Sequence, residues 1–358
     1  MSQNSEFSDG TTPEHFPAEF ERDCARLVEL AQGMGRETPG AMLRALMIPF
    51  FFQRMEQAFA ASDDPLPALH KAVHEATATL TSLGSLTELR GIVPLAEHVA
   101  GVEQSTAEHY GRLFENFDAK SYFEEPANLL RARLERNGIP LESIQGKRVL
   151  DDGCGGGRYS AAWKKLGAGE VVGCDLSSKN IETATKHANG VAGLRFMEAD
   201  CLNLPFKDGE FEIVFSNGVL HHTTDCARGI RELVRVLRQG GMGWLYLIEA
   251  PGGLFWRTID VLRSIIKGDS SENAQFVLLS LGLRKNRVFY MLDHVFVPIN
   301  LRLTAEEISG MLRAAGATDI RRLERGADFD RVEQIYRREP FAREKYGVGE
   351  HRFVFTKK

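Results

Sequence analysis

Cysteine is sparse in this chain: residues 24, 154, 174, 201 and 226 of 358, with no C-x-x-C pair among them. That spacing argues against a cysteine-built zinc site and a disulfide framework, and it suits a reducing, cytoplasmic setting. Long apolar runs are missing as well. The longest, LMIPFFF at residues 46–52, is far too short to span a bilayer, so no membrane insertion is expected. The opening residues, MSQNSEFSDGTT, are polar and lack the basic and apolar regions of a signal peptide; residues 1–12 are expected to be a disordered tail. There is no excess of positive charge. A net charge of −5 and no basic groove make nucleic acid an unlikely main partner. Internal repeats and low-complexity tracts are also lacking.

What is present is an alternation of strands and helices in the second half. Apolar runs at 147–152, 170–175, 193–199, 210–217 and 242–249 read as strands, with helices at 157–166, 178–189 and 226–238, the last stopped by Gly240–Gly241. TAEEISGMLRAAG begins with Thr304 and has Glu307 three residues on, a capping box. ATDIRRLERG and HRFVFTKK supply two final strands, a hairpin elaborated by the 24 residues from Ala327 to Glu350. The expected fold is a doubly wound, seven-stranded, Rossmann-like α/β sheet with a helical N-terminal domain.

The densest chemistry lies in VLDDGCGGG, residues 149–157, where an apolar strand runs into a glycine turn. Gly153 and Gly155 permit a tight turn and close approach of backbone to ligand. A dinucleotide fingerprint needs its third small residue at 158, but that position is Arg and the third glycine is Gly157. The G-x-G-x-G spacing after Asp151 suits a cationic ligand without pyrophosphate. The next strand ends in Asp175, 22 residues past Gly153, placed to accept from ribose hydroxyls.

VLDDGCGGGRYS, VVGCDLSSKNIETA, EADCLNLPFKDGEFEIVFSNGVLHHTTD and RELVRVLRQGGMGWL follow one another in register over about a hundred residues. In this the chain resembles the class I S-adenosylmethionine-dependent methyltransferases, in particular the small-molecule branch that includes ubiquinone/menaquinone-type enzymes. The resemblance implies S-adenosylmethionine as cofactor. Asp151, Gly153, Cys154, Gly155 and Gly157 would hold its methionine end, Asp175 and Leu176 the ribose, Asp200 and Cys201 the adenine, with Asn217 closing the methionine side. Position 152 departs from the family, being Asp rather than apolar. Asp152 could add a second carboxylate for a cationic ligand or cap the following helix, and the structural reading is preferred. In a tight, dry turn the two carboxylates would repel and raise one pKa.

Around this domain (147–358) the reading places a helical N-terminal domain at 13–103, connecting or lid helices at 104–146, and a cap insertion at 251–303. Tyr110, Phe114, Phe117 and Tyr122 are candidates for a lid over the cofactor. The FFF run reads as core or as a homodimer contact through the N-terminal helices. Arg131, Arg133 and Arg136 read as a solvated helix face. The expected activity is methyl transfer to a small-molecule acceptor, O-methylation by default with N- or C-methylation close behind. Alternatives are a tRNA or other macromolecular acceptor, or a non-catalytic partner-binding subunit. His221, His222 and, in the insertion, His294 are the candidate bases, since imidazole titrates near pH ~6.5. The His-His pair recurs in relatives with varied acceptors, so a pocket-shaping role stands beside the catalytic one. Asp328, Asp330 and Arg331 would either reach the site or form a surface ion pair. No metal site is expected.

Overall fold

A computed structural model describes residues 15–35, 38–84 and 119–358. The tail at 1–12, the expected helix at 105–117 with Tyr110, Phe114 and Phe117, and the side chain of Tyr122 lie outside the described residues.

Three helices come first: α1 (Ala18–Gly33), α2 (Thr38–Ala60) and α3 (Pro65–Gly84). Pro49 sits inside α2 without ending it. Helix α4 (Ala119–Arg136) leads to the sheet. The alternation then runs β1 (Arg148–Asp152), α5 (Arg158–Lys165), β2 (Glu170–Asp175), α6 (Ser178–His187), β3 (Leu194–Glu198), β4 (Phe211–Asn217), α7 (Cys226–Val236) and β5 (Leu237–Leu247). Helices α8 (Gly253–Ile265), α9 (Ser271–Ser280) and α10 (Lys285–Phe296) form the insertion. After them come α11 (Ala305–Ala314), β6 (Ala317–Arg322), α12 (Arg331–Tyr336), α13 (Ala342–Tyr346) and β7 (His351–Lys357).

The seven strands form one sheet in the order β3-β2-β1-β4-β5-β7-β6. All neighbours are parallel except β7, which runs antiparallel to both β5 and β6. Chain direction across the sheet reverses between β1 and β4, the point where an open α/β sheet leaves a crevice beyond its carboxyl ends. The middles of strands β1, β2 and β4 are apolar because both their faces are covered, one by the cluster around Leu150, Val172 and Val214, the other by Val149, Ile213, Phe215 and Trp163.

Two boundaries differ from the sequence reading. Helix α7 stops at Val236, and Leu237 already pairs with Phe211 in β5. The register then shifts before Ile213 pairs with Met242, so the glycines at 240 and 241 lie in an irregular stretch of strand rather than at a helix stop. Gly240 has φ of 65°, and a Cβ on Gly241 would meet the backbone oxygens of Arg238 and Glu212 at 2.9 Å. Strand β6 ends at Arg322 instead of reaching 326, because Arg325 and the Gly326 N–H turn away to the Glu333 carboxylate at 2.8–3.1 Å. The capping box is formed: the Glu307 N–H donates to Thr304 Oγ1 at 3.2 Å, and the Thr304 N–H to Glu307 Oε2 at 2.8 Å.

The N-terminal helices and the insertion share one core. Leu27, Ile48, Phe52 and Leu80 pack in the same apolar cluster as Ile259, Leu262, Leu278 and Leu292. Phe51 and Phe52 of the FFF run are buried there, within the chain. Arg44 of α2, itself buried, clamps this lobe by donating to both Asp269 oxygens at 2.6 and 2.7 Å. Among the described residues no helix is long and apolar enough to cross a membrane.

Candidate active site at the carboxyl edge of the sheet

Beyond the ends of β1, β2 and β4 lies a cleft of about 250 Å³. Asp152, Gly153, Cys154, Gly155, Asp175, Leu176, Asp200, Cys201 and Asn217 line it, together with Tyr159, Asn180, Gly218, Val219 and His222. The turn after β1 is made by Gly153 and Gly155 at φ of 68° and 51°, the left-handed region that glycine reaches without penalty. A Cβ on Gly153 would stand 2.3 Å from Val219 Cγ2, so the turn is packed as well as bent.

Alternation along β1 separates the two acidic residues. Asp151 points to the face of Val149 and is held by the Ser160 hydroxyl of α5, which donates at 2.5 Å. Asp152 points the other way, among its cross-strand neighbours Cys174 and Ser216. It is therefore Asp152, not Asp151, that faces the cleft, and the capping reading of Asp152 is replaced. The Cys174 thiol lies 3.7 Å from its Oδ1, while Oδ2 is buried with no hydrogen-bond partner. Burial pushes both carboxyls up to about 7. Repulsion between them is a lesser cause for Asp151, because the opposite facing keeps their charges from meeting in one turn.

Asp175 ends β2 in a full set of donors. Gly155 N–H gives to Oδ2 at 2.9 Å, and Ser177 N–H and Asn180 Nδ2 give to Oδ1 at 2.9 and 3.0 Å. Burial raises its pKa and these three donors pull it back. Oδ1 has both lone pairs engaged, so Oδ2 is the oxygen that keeps a further lone pair for a ligand hydroxyl. Asn180, one turn into α6, was missed from sequence; its signal was its place three residues after the Ser177 N-cap. Asp200 is exposed and fixed through the Leu202 N–H at 2.8 Å. Burial pushes the Cys201 thiol well up, away from nucleophilic chemistry. Gly157 does not line the cleft; at φ of 79° it is the N-cap of α5.

The three histidines do not converge. His222 lines the cleft, and its Nδ1 lies 2.7 Å from the Ile299 carbonyl. A carbonyl only accepts, so Nδ1 carries the proton and the lone pair of the neutral ring is on Nε2. His221 is buried behind it, outside the lining, with Nδ1 unpartnered and its pKa held well below the usual value by burial. His294 belongs to a different cavity. Its ring sits among Phe52, Phe255, Trp256 and Tyr290, and burial lowers its pKa to about 4.

That second cavity is larger, about 670 Å³, and sits between the lobe and the sheet. Met55, Phe59 and Ala60 of α2, Phe255, Tyr290 and His294 of the insertion, and Phe329 and Tyr346 of the elaborated hairpin form its apolar lining. One side is a buried ion network. Arg133 forks onto both Asp330 oxygens at 2.8 Å, Arg352 reaches Asp330 at 3.3 Å, and Arg331 lies 3.1 Å from Glu249 and 3.6 Å from Glu350. Arg133 is thus buried rather than on a solvated face, while Arg131 is exposed as expected. Asp330 and Arg331 belong to this network, whereas Asp328 stays on the surface, paired with Arg136 at 2.7 Å. Arg133 also donates to the Tyr159 hydroxyl at 2.6 Å. Tyr159 lines the cleft and Arg133 the larger cavity, so this bond is part of the partition between the two.

Residues 150–245 match the family model described as a methyltransferase domain. They form a class I methyltransferase domain. Curated relatives include the 27-O-demethylrifamycin SV methyltransferase of Amycolatopsis mediterranei (strain S699), 34% identical over 46% of this chain and 63% of that protein. The ubiquinone biosynthesis O-methyltransferase of Caulobacter sp. (strain K31) is 38% identical over 31% of this chain and 44% of that protein. A solved S-adenosylmethionine dependent methyltransferase from Mesorhizobium loti is 21% identical with a TM-score of 0.43, covering 67% of this chain and 100% of that one. The chain spans roughly half the length of the curated relatives it matches, between 42 and 63% for three of them. The lobe of α1–α3 lies outside the methyltransferase match.

Proposed function

We propose that this protein transfers the methyl group of S-adenosylmethionine to a small-molecule acceptor. The observation that carries the reading is the set of carboxylates at the cleft: Asp152, Asp175 and Asp200 at the ends of three adjacent strands, one with a buried oxygen lacking a partner. A cationic nucleoside rich in hydrogen-bond donors fits this set of acceptors, and the Gly153 turn leaves its backbone bare for close approach. Asp152 would face the charged methionine end, Asp175 the ribose hydroxyls, Asp200 and Cys201 the base, and Asn217 the methionine side. Bound there, S-adenosylmethionine supplies a methyl group already activated by its sulfonium.

The chain's own part is to position the acceptor, exclude water and take a proton where the nucleophile carries one. His222 is the group in the cleft lining able to accept that proton on Nε2. An oxygen acceptor makes most use of it, so O-methylation is the preferred chemistry. The 670 Å³ cavity is the place for the body of the acceptor: it is within the size range of small-molecule sites, with Phe59, Phe255 and Tyr290 as apolar walls and Glu56, Glu339 and the ion network as polar ones. Two relatives support this substrate class, one named for methylating 27-O-demethylrifamycin SV and the other for ubiquinone biosynthesis.

Calorimetric titration of S-adenosylmethionine and S-adenosylhomocysteine, with Asp175→Ala as control, tests the reading. Micromolar binding that weakens in the variant by about 2–3 kcal/mol is expected. A folded wild-type chain that binds neither compound overturns it.

A further inference from the structure

Far from the cleft, α1 and α3 bring together three side chains that the methyltransferase reading does not use. Sequence sets His70 and His74 four residues apart on α3, so both rings leave the same face of one helical turn. Asp23 of α1 enters between them. Its Oδ2 lies 2.7 Å from His70 Nε2 and 3.4 Å from His74 Nε2, and one donor atom from each of the three residues falls within 4.8 Å of the others. The imidazoles are stacked at an angle, with centroids 4.6 Å apart, so both Nε2 atoms point toward the same carboxylate oxygen.

The geometry points to a binding site for a divalent transition-metal ion of the zinc type, held by Asp23, His70 and His74. Two neutral imidazoles and a carboxylate are donors that such ions prefer, and a pair of histidines at i and i+4 on a helix presents two of them without backbone rearrangement. Bond lengths of about 2.0–2.2 Å put neighbouring tetrahedral donors roughly 3.3 Å apart. The His74–Asp23 separation already has that value. The His70–Asp23 hydrogen bond has to open by about half an ångström when the metal replaces its proton. Phe20, itself buried, packs edge-on against the His70 ring at 5.6 Å and fixes its plane. His74 is 59% exposed, which gives the ion an entry path and leaves its fourth position to water.

Asp23 and His70 are 47 residues apart in sequence, so a bound ion would cross-link the first and third helices of the lobe. That lobe packs on the insertion helices and lines the larger cavity through α2. A metal here stabilises the lobe and takes no part in methyl transfer. The proposal is independent of the reading of the cleft.

The test is titration of zinc chloride into the full chain, freed of any affinity tag and stripped with chelator. Calorimetry should give one ion per chain, and cobalt chloride should give visible absorption bands of a low-coordinate site. Zinc should raise the thermal midpoint. In His74→Ala and Asp23→Asn, affinity should fall at least about tenfold and the thermal shift should vanish. His74 is exposed, so its variant keeps the fold, which circular dichroism checks. A wild-type chain that binds no zinc, or variants that bind it as the wild type does, would overturn the site and leave a hydrogen-bonded His–Asp clamp.

Discussion

Asp151 and Asp152 are adjacent in sequence yet face opposite sides of β1, Asp151 toward the Ser160 hydroxyl of α5 and Asp152 toward the cleft. The pleat assigns them different work. Asp151→Asn should leave cofactor affinity near that of the wild type and lower stability by about 1–3 kcal/mol, the usual cost of disturbing a buried, charge-assisted hydrogen bond. Asp152→Asn should do the reverse, weakening S-adenosylmethionine binding tenfold or more by rough estimate, with little loss of fold. Calorimetry and urea denaturation on both variants separate the two effects. Equal losses of affinity in the two would remove the assignment of Asp152 to the charged end of the cofactor.

The raised pKa of Asp152, about 7, makes a pH prediction with a definite sign. A buried acid whose folded-state pKa lies above its unfolded value binds more protons when folded across the window between the two. Its stabilising contribution is therefore present below the unfolded pKa and is lost as pH rises toward 7. Without cofactor, the wild type should lose stability relative to Asp152→Asn between about pH 4 and pH 7 and change little above that. Affinity for the cationic cofactor should move the other way, rising through the same range as the carboxylate ionises. Binding measured at pH 6 and 8 should show this rise in the wild type and a flatter response in Asp152→Asn.

Gly153 combines two constraints that mutation can separate. Its φ of 68° strains any L side chain, and a Cβ there would strike both methyl groups of Val219 at 2.3 and 2.5 Å. Gly153→Ala should abolish cofactor binding and destabilise the domain by about 2–4 kcal/mol. Adding Val219→Ala makes room for the methyl but leaves the backbone strain. The double variant should recover part of the stability, about half, and the recovery is read from denaturation midpoints.

The sheet was legible because its central strands carry apolar runs covered on both faces and are separated by helices with clear caps, as at Ser177, Asp225 and Thr304. Most of the cleft was legible for the same reason: its residues sit at strand ends, where topology puts a ligand. Facing was harder. Two consecutive aspartates look alike in sequence, and only the register of β1 against β2 and β4 tells which side each occupies. Long-range pairing was out of reach. Nothing near Arg133 announces Asp330, 197 residues away, so a buried network reads as an exposed basic helix face. The shared core of the N-terminal helices and the insertion was hidden likewise, since amphipathic helices advertise an apolar face but not its partner.

The histidine pair divides as the aspartates do. His222 lines the cleft with its proton fixed by Ile299, and His221 is buried behind it. Once an acceptor is found by screening for S-adenosylhomocysteine release, His222→Ala should lower kcat at saturating cofactor by about 10²–10⁴-fold, the range for loss of a general base. His221→Ala should act chiefly on stability. An unchanged kcat in His222→Ala would mean that the acceptor carries no proton to lose or gives it directly to water.

Placing the acceptor in the 670 Å³ cavity predicts a separation of binding from cofactor capture. Ala60, at the end of α2, lines that cavity and is exposed, so a large side chain there need not disturb the core. It contributes nothing to the lining of the cleft. Ala60→Trp should therefore bind S-adenosylmethionine as the wild type does and keep its thermal midpoint within a few degrees, about the scatter of neutral surface changes. Occupying volume needed by the acceptor should raise KM by tenfold or more, equivalent to about 1.4 kcal/mol or more. Removing the Arg133–Tyr159 bond with Tyr159→Phe is the complementary change, because it weakens the partition without narrowing either space. If Ala60→Trp turns over the acceptor with unaltered KM, the acceptor does not occupy this cavity and the placement is wrong.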